Sequence, residues 1–132
     1  MKRLVLGMCV VALACSKPAE PPAVTIASPE QGWMGPVPLK VTLTATGATI
    51  SPVAEQRAGG AHLHLFVDVD ATAEGAAIPV GEPGVIHLGG GQMEYQFDSL
   101  AAGNHRIIAV LGDNAHVRVP GQKTDTVEVM IH

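Results

Sequence analysis

From residue 23 onward, apolar and polar side chains repeat with a period of two and no stretch keeps a helical period. In "PLKVTLTATG", Leu39, Val41, Leu43 and Ala45 fall on one face and Lys40, Thr42 and Thr44 on the other. "MEYQFDSL" turns Met93, Tyr95 and Phe97 inward, and "DTVEVMI" does the same with Val127, Val129 and Ile131. "NHRIIAVLGD" is apolar on both faces, the pattern of a strand in the middle of a sheet. "AVTIAS", "AAIPV" and "GVIHL" read as further short strands, and glycine and proline punctuate the whole. About seven short strands at regular spacing predict an all-β fold, an immunoglobulin-like β-sandwich, with "SLAAGNH" as a corner between two strands. No repeat or second domain is evident.

One segment breaks the simple pattern. In "GGAHLHLFVDVD", residues 59–70, Ala61, Leu63, Leu65, Val67 and Val69 form an apolar set, while His62, His64, Phe66, Asp68 and Asp70 form the other. The two histidines therefore share a face, and that face is not the main core. Either they cap a solvated sheet surface or they serve a site.

Composition narrows the chemistry. The chain has 132 residues, enough for one core. A net charge of −4 argues against nucleic acid as a partner, and 3% aromatic residues leave little for base stacking. The amino terminus, "MKRLVLGMCVVALAC", sets Lys2 and Arg3 before an apolar run from Leu4 to Ala14, the layout of a secretory signal. Ending on "ALAC", it resembles the lipobox of bacterial lipoproteins, apart from Ala12, where leucine is usual. Residues 1–14 are thus expected to be a signal peptide and residues 15–22 a lipidated Cys15 with a proline-rich tether, "SKPAEPP". Residues 23–132 are expected to form the domain, held through the lipid at the outer membrane and facing the periplasm. Loss of Lys2 and Arg3 leaves 6 basic residues against 12 acidic, a net charge of −6. Cys9 lies in the signal and Cys15 would carry lipid, so the mature domain has no free thiol for disulfides, zinc-thiolate sites or cysteine nucleophiles.

Any metal here must be held by nitrogen, oxygen or methionine sulfur. Five of the six histidines, His62, His64, His87, His105 and His116, lie near glycine-rich turns; the sixth, His132, is terminal. Neutral imidazole is the commonest ligand for zinc and copper, and an H-x-H pair on one strand face offers two nitrogens to one ion. His87 and His116, at strand ends where loops converge, are the natural third and fourth ligands. Asp68 and Asp70 lie roughly 13 and 20 Å beyond His64 along an extended strand, too far for the same ion. His105, after the corner glycine, is expected to bond backbone across the corner. Met34, Met93 and Met130 are scattered and read as packing residues.

Taken together, "GGAHLHLFVD", "IHLGGGQ" and "LAAGNHRIIAVLGDNAHV" resemble the bacterial domain-of-unknown-function family numbered 4399, small exported proteins with three histidine-bearing motifs in this order. The resemblance spans about residues 28–131. His62 and His64 match the outer two of three strand histidines, with Leu63 in place of the middle one. His87 matches the second histidine of the turn motif, with Val85 where the first would stand, and His105, Gly112, Asp113 and His116 match directly. The resemblance implies a site of His62, His64, His87 and His116, with His105 supporting, but it brings no assigned activity.

Three functions follow as expectations. The first is a non-catalytic copper- or zinc-binding lipoprotein domain that acts as carrier, sensor or store. The second is an interaction or structural module whose histidines only order turns. The third is a cupin-type metalloenzyme, for which "HLHLFVD" and "PGVIH" echo the two motifs, with His62 and His64 facing a barrel interior. Hydrolase chemistry has no support: neither G-x-S-x-G nor H-E-x-x-H occurs, and "LGGGQ" lies between strands.

Overall fold

A computed structural model describes residues 19–132. The expected signal peptide and Cys15 lie outside the described residues. Nine strands follow in order: β1 (Ala23–Ser28), β2 (Trp33–Gly35), β3 (Leu39–Thr46), β4 (Thr49–Ile50), β5 (Gly60–Val67), β6 (Val85–Leu88), β7 (Glu94–Phe97), β8 (Gly103–Asp113) and β9 (Asp125–Ile131). The count exceeds the expected seven because β2 and β4 are three and two residues long, too short to show alternation.

The strands form two sheets, β1-β3-β7 and β2-β9-β8-β5-β4, with β6 pairing β5 beside β4. These stack as an immunoglobulin-like β-sandwich. The inward faces carry the residues that alternation assigns to them: Leu39, Val41 and Leu43 from β3, Phe97 from β7, and Val127, Val129 and Ile131 from β9. Ala61, Leu63 and Leu65 of β5 meet Ile107, Ala109 and Leu111 of β8 in the same core. Strand β8 is central, paired with β5 on one side and β9 on the other, in keeping with its apolar character on both faces. The corner before it is closed by His105, whose Nε2 lies 2.7 Å from the carbonyl oxygen of Ala101.

The outer face of the larger sheet is covered locally. Phe66 and Val110 project there with Ile78 as a second small core. Ile78 comes from "AAIPV", which is not a strand. Only Ala77 makes a β-bridge, to Val117, and Pro79 cannot donate to a ladder. The long connection from β5 to β6 instead crosses the sheet and bonds to the turn after β8: Ile78 N–H donates to His116 O (2.7 Å), Arg118 N–H to Ala76 O (2.9 Å), and Gly75 N–H to Arg118 O (3.1 Å). Strand β5 ends at Val67 because Asp68 takes a left-handed conformation, φ +60°, and this swings Val69 out to partial exposure. Val69 is thus not part of the inward set that alternation predicted.

Candidate metal centre

Cross-strand partners in a sheet project from the same face. Register therefore sets His64 of β5 beside His87 of β6 and Val110 of β8, and sets His62 beside Gly112. Three histidines thus share the outer face of the larger sheet. The fourth, His116, arrives from the turn after β8. The Asp113 carboxylate accepts the N–H groups of Ala115 (2.8 Å) and Val117 (2.9 Å), and its carbonyl accepts that of His116 (2.9 Å). His116 itself has φ +59°, a conformation that costs a non-glycine residue free energy and recurs at functional sites.

The four rings face one another. Centroids of His62 lie 4.6, 4.9 and 4.9 Å from those of His64, His87 and His116. The remaining separations are 5.2 Å for His64 to His87, 5.9 Å for His64 to His116 and 4.8 Å for His87 to His116. One nitrogen from each ring can be chosen so that all four lie within 4.8 Å of one another. Nitrogens bound at 2.0–2.1 Å to one tetrahedral ion stand about 3.3 Å apart. The Nε2 atoms of His87 and His116, at 3.1 Å, already meet that spacing. The others need inward shifts of roughly 1 Å, within the reach of a small χ rotation.

The space is made by missing side chains. A Cβ on Gly112 would sit 2.6 Å from His64 Cε1 and 2.9 Å from Ile78 Cδ1. A Cβ on Gly89 would sit 2.6 Å from His87 Nε2. Both glycines are required by close approach of an imidazole, with no positive φ involved.

Burial sets the electrostatics. His62 and His64 are fully buried, so the solvated-face alternative does not hold, whereas His87 and His116 are half-buried. Among the described residues, neither ring nitrogen of His62 or of His64 has a hydrogen-bond partner. Burial, followed by the neighbouring His87 and His116, pushes His62 down to about 4, although Asp113 partly opposes this. Burial and the three other histidines push His64 down to about 3. His87 is lowered too, by burial and by His116. At neutral pH the buried pair is therefore uncharged, the form in which imidazole binds a metal.

The family profile described as "Domain of unknown function (DUF4399)" matches residues 41–132, a span that contains all four histidines. The chain belongs to the DUF4399 family. Strands β1 and β2 precede the matched span, which begins within β3. No curated protein matches the chain. Among solved structures, one from a study of Clostridium thermocellum CbhA fibronectin(III)-like modules is 20% identical, with a TM-score of 0.46 over 84% of this chain. This chain spans 46% of that chain's length.

Within the DUF4399 domain the other sequence candidates go elsewhere. His105 does not support the cluster: it lies at the far end of β8, opposite Val129, whereas the cluster flanks Val110 and Gly112. Its Nδ1 lies 2.6 Å from Asp68 Oδ2, and Asp68 also accepts the N–H of Arg106 (2.9 Å). Asp68 has left the histidine face and is a corner partner; Asp70 pairs with Arg106 on the surface. Met34 and Met130, scattered in sequence, are register partners on β2 and β9. They line a cleft of about 370 Å³ with Asp68, His105, Arg106 and Glu128, away from the cluster. The cupin expectation is not met, because His62 and His64 face outward from a sandwich sheet, under irregular segments, and not into a barrel. Sequence reading missed the parts played by Gly112, Gly89 and Ile78. The signals were the glycines' proximity to histidines and the place of Gly112 in the third family motif.

Proposed function

We propose that this DUF4399 domain binds a transition metal, copper or zinc, through His62, His64, His87 and His116, and does so without catalysis, as a carrier, sensor or store. One observation carries the reading: four ring nitrogens of two fully buried histidines have no partner among the described residues and face two further histidines. A buried polar group without a partner costs about 1–3 kcal/mol, so a fold that keeps two such imidazoles in one place draws compensation from something else. A coordinated cation supplies it to one nitrogen of each ring. The donors suit borderline ions; calcium and magnesium call for oxygen.

The domain is carried on a lipoprotein, anchored through acylated Cys15 at the outer membrane and facing the periplasm, where a thiol-free site is not exposed to oxidation. Support for this part is the amino-terminal sequence alone. Replacement of Cys15 by serine is expected to shift the protein from the membrane to the soluble fraction.

Calorimetric titration of the chain, purified without a polyhistidine tag, tests the metal reading. Zn(II) or Cu(II) is expected to bind at one equivalent, and the combined His62→Ala and His64→Ala substitutions to abolish binding. No binding tighter than about 10 µM, or binding indifferent to that double substitution, overturns it.

A further inference from the structure

The arrangement of the four rings carries information about the ion itself. When an imidazole nitrogen sits 2.0–2.1 Å from a metal, its ring centroid lies about 3.2 Å from it. Four rings around a tetrahedral ion then have all six centroid separations near 5.2 Å, whereas a square-planar ion gives four near 4.5 Å and two near 6.4 Å. In the square case the two long separations must join opposite pairs with no ring in common.

The observed separations run from 4.6 to 5.9 Å; one alone exceeds 5.2 Å, and it falls short of a square's diagonal of about 6.4 Å. The two longest, His64 to His116 at 5.9 Å and His64 to His87 at 5.2 Å, both involve His64. The pair complementary to the longest, His62 and His87, is 4.9 Å apart. None of the three ways of dividing the rings into opposite pairs yields two long diagonals. The rings occupy the corners of a slightly stretched tetrahedron.

Resting on the metal reading above, we infer that the centre is built for a tetrahedral ion with four imidazole ligands, which selects zinc over the tetragonal preference of Cu(II) or Ni(II). The donor set agrees: among the described residues neither a thiolate nor a carboxylate belongs to the cluster, and Met34, Met93 and Met130 lie elsewhere, so the sulfur donors that select Cu(I) are missing from it. Four protein nitrogens complete the coordination sphere and leave no position for a water, the arrangement of a holding site. The matrix is also stiff where it matters. His62 and His64 stand on a strand paired on both sides, and Gly112 admits the His64 ring with no room to spare.

Co(II) reports this geometry directly, since four-coordinate tetrahedral Co(II) absorbs strongly in the visible and six-coordinate Co(II) only weakly. The detergent-solubilised full chain without a polyhistidine tag is titrated with Co(II) and then with Zn(II). The inference expects the intense tetrahedral band to saturate at one equivalent, to vanish on addition of one equivalent of Zn(II), and in His64→Ala to shift in wavelength and need at least about 10-fold more Co(II) to saturate, since water takes the vacated position. His87→Ala, at a half-buried position, is expected to shift and weaken the same band in the same way. A weak six-coordinate spectrum overturns the tetrahedral assignment and leaves metal binding standing, as does a Cu(II) adduct with the resonance signature of a square four-nitrogen site together with preference for Cu(II) over Zn(II). Absence of any binding of Co(II), Zn(II) or Cu(II) overturns this inference and the metal reading together.

Discussion

Replacing His64 by leucine is expected to make the metal-free domain more stable. Imidazole and isobutyl groups are similar in size, and the site already borders Phe66, Val110 and Ile78, so leucine adds apolar contact where His64 has two unpartnered nitrogens. Each unpartnered buried nitrogen costs about 1–3 kcal/mol. Even at the low end the two together come to about 2 kcal/mol. For a domain of this length that corresponds to a rise in Tm of roughly 6–8 °C. With metal present the order reverses at that low-end figure. Zinc at 100 times its Kd stabilises the wild type by about 2.7 kcal/mol, while the variant, left with three ligands, gains far less.

The assay is thermal unfolding of both proteins, first with chelator and then with Zn(II). Wild type is expected to melt below His64→Leu in chelator and to rise on addition of zinc, with the variant unmoved. A variant that melts lower than wild type in chelator refutes the reasoning. It would mean that the His64 nitrogens contribute hydrogen bonds to the metal-free fold and that the cluster is a structural network.

Three further outcomes follow from particular contacts. Gly112→Ala is expected to push the His64 ring from its place, because the new Cβ would lie 2.6 Å from Cε1, and so to weaken zinc binding at least 10-fold, read by calorimetry. Gln122→Met is expected to cost about 1–3 kcal/mol in denaturant unfolding, because the buried Gln122 amide accepts from Leu111 N–H at 2.8 Å and donates to Leu111 O at 2.7 Å. The His105 and Asp68 pair predicts a pH window. The Ala101 carbonyl and then the Asp68 carboxylate raise His105 above 6.5, so its contribution is complete below pH 6.5 and is lost as pH rises through the raised value. For Asp68, burial acts upward but is outweighed by the Arg106 N–H and His105, which hold it below 3.8; its contribution is complete above that pH and is lost as pH falls through the lowered value. The stability difference between wild type and His105→Gln should therefore be greatest between pH 3.8 and 6.5 and shrink at alkaline pH; a difference independent of pH would contradict the ion pair.

Much of the sandwich was legible because a period of two assigns faces whatever the tertiary context. Leu39, Val41, Leu43, Phe97, Val127, Val129 and Ile131 are buried where alternation places them, and the apolar run in β8 marks the central strand. Alternation fails where the chain stops being regular. Asp68 adopts a positive φ without being glycine, so nothing in the sequence announces that β5 ends at Val67 and that Val69 turns outward. "AAIPV" has the composition of a strand, yet Pro79 follows Ile78 and the segment serves as a lid. Composition does not distinguish an apolar residue that pairs in a ladder from one that plugs a sheet face.

The same limit explains the site. Period two shows that His62 and His64 share a face and that Leu63 belongs to the core, and both statements hold. It cannot say whether that face is wet, because burial there depends on residues 75–78 and 115–118, up to 54 positions away from His64 along the chain, folding over it. Once covered, the face changes chemical character. Imidazoles that would titrate near 6.5 in water become neutral and lose their water partners, and the nitrogens that solvent would have satisfied point at one another. The motif H-x-H supplies the donors, but the lid turns them into a preorganised cluster. The residues that decide this, Ile78, Gly112 and Asp113, are not themselves among the four donors.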